Sequence, residues 1–123
     1  MKNKRLKVEI ADTPSKHQFG LMFRKQLDAD AGMLFKFDKP RNLEFWGVNT
    51  YIPLAIAFVS PEGQIKKISY ISPHCKDVVT SDASCDRAIE ANYDFFRENN
   101  IWAGDVINII DDDDDETFVV FND

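Results

Sequence analysis

Leu6-Lys7-Val8-Glu9-Ile10 alternates apolar and charged residues with period two, which predicts a strand with one buried face. Asp12-Thr13-Pro14-Ser15 then supplies a helix start, with Thr13 as N-cap and Pro14 at the first helical position. Phe19, Met22 and Phe23 recur at helical spacing, so the helix is expected over residues 14–24. Residues 33–37 and 43–46 read as strands on either side of a turn at Asp38-Lys39-Pro40-Arg41-Asn42. Residues 54–59 are nearly all apolar and fit a strand buried on both faces. Ser60-Pro61-Glu62-Gly63 is a hairpin turn signal. Residues 64–71 return from it with Ile65, Ile68 and Ile71 as apolar points, and the uneven spacing predicts a bulge near Lys67.

Residues 72–86 are polar, carry both cysteines and read as a long loop. Residues 89–99 read as a second helix, with Ala91, Phe95 and Phe96 on one side. Ala103-Gly104-Asp105 opens a last hairpin with arms at 106–110 and 117–121. Strands and helices do not alternate regularly, so βαβ winding is not expected. The predicted class is α+β: a mostly antiparallel curled sheet or partly open small barrel with two helices, in one domain over 1–123. At 123 residues such a chain buries roughly two-thirds of its unfolded surface, so neither metal nor disulfide is required for folding.

Charge narrows the partners. The net charge is −6, and six of the 21 acids are the consecutive run Asp111 to Glu116; the other 15 balance the 15 basic residues. Lys2, Lys4, Arg5 and Lys7 crowd the N-terminus, but no basic stripe with interleaved aromatics exists, so nucleic acid is not an expected partner. No apolar run approaches the roughly 20 residues that span a bilayer, so no membrane role is expected. The basic start leads into Val8-Glu9-Ile10 and not into an apolar signal region. An intracellular location is the expectation, or export if a leader has been removed.

Three hydrophobic phrases carry the strongest signal: Gly20-Leu21-Met22-Phe23-Arg24, Gly32-Met33-Leu34-Phe35, and Phe45-Trp46-Gly47-Val48-Asn49-Thr50-Tyr51-Ile52-Pro53-Leu54. The string resembles a family of small globular proteins, domain of unknown function 192, over most of the chain. The resemblance implies no established biochemical role. Members resemble Phe-Trp-Met-Lys-Asn-Thr at the third phrase and continue Ile-Pro-Leu-Asp; this chain has Gly47 and Val48 instead of Met-Lys, and Ala55 instead of the aspartate. A methyl group neither accepts a proton nor binds a cation, so any activity resting on that carboxylate is not expected here.

Most of the large apolar residues in these phrases read as core. Arg24, Asn49 and Thr50 are hydrogen-bonding groups among them and must be paired if buried. With Trp46 as a stacking wall they are the candidate lining of a ligand pocket. The competing reading pairs Arg24 with a carboxylate and lets Asn49 and Thr50 pin a turn. Cys75 and Cys85 form a candidate disulfide, worth about 2–3 kcal/mol in the chain-entropy picture; a reducing cytosol favours free thiols. A cysteine pair in this segment is also similar to some family members. Cys75 with His74 and His17 does not make a metal site at zinc spacing, and no cofactor fingerprint occurs. The acid run lacks the spacing and turn glycine of a calcium loop and reads as a hydrated hairpin connection.

Three classes of function follow. The leading one is a non-enzymatic small binding or accessory domain, for an unknown small molecule or protein. The second is a structural or assembly protein working in a homo-oligomer or larger particle. The third is an enzyme of unrecognised type, which the absence of an acid–base pair at diagnostic spacing disfavours.

Overall fold

A computed structural model describes residues 4–123; Lys2 of the basic N-terminal cluster lies outside them. β1 (Lys4–Ala11) buries Leu6 and Val8 and exposes the charged residues between them, as its period-two pattern predicts. It pairs in parallel with β2 (Ala31–Phe45) and antiparallel with β7 (Thr117–Asn122). A parallel pair needs a crossover, and residues 12–30 provide it. They begin with α1 (Pro14–Phe19), where the Thr13 hydroxyl accepts the Lys16 N–H at 3.2 Å. The helix stops at Phe19, short of the predicted Arg24, because Gly20 and then Phe23 take positive φ, 50° and 66°. A left-handed residue cannot continue a right-handed helix.

β3 (Leu54–Val59) is buried along its whole length and pairs with β4 (Ile65–Ile71). Phe58 faces Lys67 while Val59 faces Ile65, which places the predicted bulge at Lys66. β5 (Val79–Asn92) corrects two expectations: it takes residues 79–86 of the loop expected over 72–86, leaving 72–78 as loop, and it replaces the start of the helix over 89–99. Only α2 (Phe95–Glu98) of that helix forms. β2 likewise runs through the expected turn at 38–42. Between Lys36 and Arg41 the chain advances five residues while its partner advances two, Arg87 to Cys85, so the turn residues bulge out of the ladder. Pro40 has no N–H to give the ladder and fits such an interruption.

β6 (Val106–Asp111) pairs with β7 across the acid run, as the sequence predicts. The seven strands form one sheet in the order β4-β3-β5-β2-β1-β7-β6. Its two edges meet at one end: Gln64 bridges Val106, the Ile65 N–H donates to Asp105 O, and the Ile107 N–H donates to Gly63 O, each bond 2.8 Å. The result is a curled half-barrel, mostly strands, with helices of only six and four residues. No described helix is long and apolar enough to cross a membrane.

Apolar residues fill both faces of the central strands. Leu34, Ala55, Ala57, Ile89, Phe96 and Phe121 belong to the core on the concave side. Phe35, Leu43, Ile56, Phe58, Cys85 and Ala88 belong to a second core on the opposite face. Gly32 lets β5 approach closely: a Cβ there would stand 2.2 Å from the Glu90 carbonyl oxygen.

Candidate functional site

On the second face, α1 and the residues after β2 do not close over the sheet. They leave an open cavity of about 420 Å³. Phe35, Phe37 and Phe45 line it from β2, Trp46 and Thr50 from the following loop, and Glu90 from β5. Phe35 and Phe37 share a face because they lie two positions apart, and Phe45 rejoins them beyond the bulge. Phe45 meets Phe35 edge-on at 4.9 Å and Phe37 at 6.3 Å. His17 of α1 stacks on Phe37 at 4.1 Å and donates from Nε2 to the Lys36 carbonyl at 2.6 Å. The Arg41 guanidinium lies over the same Phe37 ring, 4.9 Å from its centre. Trp46, 51% exposed, stands at the mouth.

Glu90 is the chemically distinctive member. In register it faces Met33 of β2 and Ile56 of β3, and it is only 5% exposed. No described residue hydrogen-bonds or ion-pairs with its carboxyl, whose oxygens stay within reach of solvent through the cavity. Burial alone pushes the carboxyl up to about 8, because charge is disfavoured in apolar surroundings that supply no counter-charge. At neutral pH the floor of the cavity therefore holds a protonated carboxylic acid.

The loop carrying Trp46 and Thr50 is fixed by its neighbours. The Gly47 N–H donates to the Cys75 carbonyl at 2.9 Å, and the His74 N–H donates to the Thr50 carbonyl at 3.0 Å. On its other side the Phe23 N–H donates to the Asn49 carbonyl at 2.8 Å. Phe23, Asn49 and His74 all have φ between 60° and 66°, a conformation that costs a non-glycine residue on the order of 1 kcal/mol or more. Three strained residues thus meet in three interlocked loops. Gly47 is required there, since a Cβ would lie 2.2 Å from the Ser72 carbonyl oxygen.

The four predicted site residues do not converge. Trp46 and Thr50 line the cavity. Asn49 contributes its backbone carbonyl to the loop lock and is absent from the lining. Arg24 lies on the other side of α1, in a shallower depression with Glu9, Ile10 and Met33. It holds Glu9 with two bonds, 2.5 and 2.7 Å, and that hydrogen bonding draws the Glu9 carboxyl below the usual range. Cys75 and Cys85 are free thiols. Cys85 is buried on β5, where desolvation raises its thiol, and Cys75 sits half-buried in the short segment before that strand. Ala55 points into the concave core, on the face away from Glu90. Among the described residues no group of three potential ligands is placed to hold a metal ion.

Glu90 is not among the sequence-predicted lining residues. Its signal is an acid inside the apolar run Ala88-Ile89-Glu90-Ala91, masked by reading residues 89–99 as a helix.

The family model for domain of unknown function 192, described as an uncharacterised ACR, matches residues 1–109. No curated protein matches the chain. Among solved structures, a proposed transcription regulator from Sinorhizobium meliloti is similar at a TM-score of 0.80 and 34% identity, covering 82% of this chain and 79% of that one. A protein of unknown function from Novosphingobium aromaticivorans is similar at a TM-score of 0.78 and 30% identity, covering 80% of this chain and 71% of the other.

Proposed function

This chain belongs to the family of domain of unknown function 192, and from that premise we propose that it is a non-enzymatic small-molecule binding domain whose site is the aromatic cavity. The observation that carries the reading is the unpartnered Glu90 carboxyl at the floor of that cavity. A carboxyl that is bonded to no described residue and opens onto a cavity has its hydrogen-bonding capacity free for a ligand. The volume falls in the range of small-ligand clefts, and an apolar wall with few polar groups is their usual make-up. Catalysis is less well served. The cavity lining contains no cysteine or serine, and His17 commits its Nε2 to a backbone carbonyl.

The Sinorhizobium protein is described as a proposed transcription regulator; direct nucleic-acid binding is not favoured for this chain. The net charge is −6, and of the basic N-terminal residues Lys4 pairs with Asp30 at 3.0 Å and Lys7 with Glu116 at 2.9 Å.

Amide-resolved NMR with a library of small fragments tests the proposal. Shifts concentrated at Phe35, Phe45, Trp46, Thr50 and Glu90 are expected. Failure of every fragment to bind at about 1 mM, the level at which even weak sites fill, overturns it. One observation favours the assembly reading as a second possibility. Phe19, Phe23 and Tyr51 are exposed and their rings lie within 6.1 Å of one another in series. Native mass spectrometry decides that point: a monomer at every concentration removes self-assembly.

A further inference from the structure

Taking the cavity as a binding site, we propose that its ligand is an organic cation: a protonated amine on a compact apolar or aromatic body, with the ammonium against Glu90 and the body among Phe35, Phe45 and Trp46. The inference rests on the binding-site reading and adds the charge of the ligand.

Three classes of ligand can be compared at the cavity floor. An anion would meet the Glu44 carboxylate on the lining and would hold Glu90 in its protonated form. A neutral molecule can accept one hydrogen bond from the protonated acid but gains nothing from the charge that the carboxyl can take on. A cation supplies what the carboxyl lacks, and the surrounding rings present negative π-faces that attract it. The wall already behaves this way, since Arg41 rests on Phe37.

Among the described residues nothing offers Glu90 a cation. Its register neighbours are Met33 and Ile56, and every residue of β3 is apolar. The charged or titratable side chains on the lining are His17 from α1 and Arg41 and Glu44 from β2; the loop contributes Trp46, Val48 and Thr50, none of them charged. None of these bonds to the carboxyl. A bound ammonium therefore converts a protonated acid into a carboxylate and expels its proton to solvent. The amine enters protonated and remains so.

The test uses one body with three charges: benzylammonium, benzyl alcohol and benzoate, each titrated by calorimetry in two buffers of different ionisation enthalpy. Benzylammonium is expected to bind at least about tenfold more tightly than benzyl alcohol, with benzoate weakest. At pH 7 its binding should release close to one proton. Its affinity should climb roughly tenfold per pH unit from 6 to 8 and level off above, as one-proton linkage to Glu90 requires. Glu90→Gln keeps the shape of the side chain and should remove both the proton release and the preference for the cation.

An acetylated, amidated Gly-Lys-Gly peptide forms a further arm. Binding tighter than benzylammonium identifies a protein lysine as the source of the cation, and weaker binding a free amine. If benzyl alcohol or benzoate binds as well as benzylammonium, or if Glu90→Gln retains the preference, the cation inference falls while the cavity stands as a binding site. If none of the three binds at about 10 mM, where even very weak sites register, the binding-site reading falls with it.

Discussion

Two depressions flank α1 and share Phe19 and Gly20 in their linings, yet their carboxylates behave in opposite ways. In one, Glu9 is 54% exposed and gripped by Arg24, so its acid is strengthened. In the other, Glu90 is buried without a counter-charge, so its acid is weakened until it is protonated at neutral pH. Glu9 is finished: its partner is present and water surrounds it. Glu90 is unfinished, and an unfinished buried group is where a ligand has something to contribute. A charged residue in a signature phrase is therefore a poorer guide to a site than an acid with no partner.

The strongest way to break this contrast is Glu90→Gln. The folded-state pKa lies above the usual glutamate value, so the folded protein holds a proton that the unfolded chain releases. Stability from that proton is complete below the ordinary carboxylate pKa and is lost as pH rises towards about 8. At 1.36 kcal/mol per pH unit, the loss is on the order of 4 kcal/mol by pH 8. Glu90→Gln should remove that slope and make the protein more stable than wild type at pH 8–9 by a comparable amount. Urea unfolding at pH 5 and pH 8.5 measures both quantities; an unchanged slope would show that Glu90 ionises normally.

A second substitution sharpens the contrast by loosening one side only. Gly47→Ala places a methyl 2.2 Å from the Ser72 carbonyl oxygen, a backbone atom that cannot rotate away. Overpacking of this kind costs roughly 1–3 kcal/mol. The cost should appear as a lower thermal midpoint together with displaced amide signals at Trp46 and Thr50. The Arg24–Glu9 pair, which lies outside that loop lock, should be unmoved. Unchanged stability would mean that the 72–75 segment gives way freely.

The fold was legible wherever one face of an element is wet. β1 alternates and was readable, as were the arms around the acid run and the bulge opposite Phe58. β5 was not, for two physical reasons. Residues 88–91 are buried on both faces, which erases period two and leaves a run that fits a helix equally well. Residues 80–84 are mostly polar because the far end of the β2–β5 ladder is partly solvated, with Asp82 at φ 54° and its N–H held by the Asn42 side chain at 2.8 Å. Half of the candidate site was legible. Trp46 and Thr50 stand in a phrase whose apolar context marks it. Phe37 and Glu90 join them only through the pairing of β2 with β5, a long-range register that no local pattern announces.

The smallest expected effect belongs to the other side of α1, and it is the control for the first. The pair is bidentate but partly solvated, with Arg24 36% exposed, so Arg24→Met should cost only about 0.2–1 kcal/mol. The sign of its pH dependence is opposite to that of Glu90. The Glu9 pKa is depressed by the Arg24 hydrogen bonds, so the pair contributes above the ordinary carboxylate pKa and its contribution is lost as pH falls through the depressed value. The variant should therefore lose stability at pH 7 and converge with wild type in acid. Glu9→Gln should reproduce that loss, and the double variant should cost no more than either single one, the mark of a direct pair. Benzylammonium affinity should be the same as wild type, because Arg24 is absent from the cavity lining. If Arg24→Met instead weakens that affinity tenfold, the two depressions act as one site and the contrast between the two carboxylates is lost.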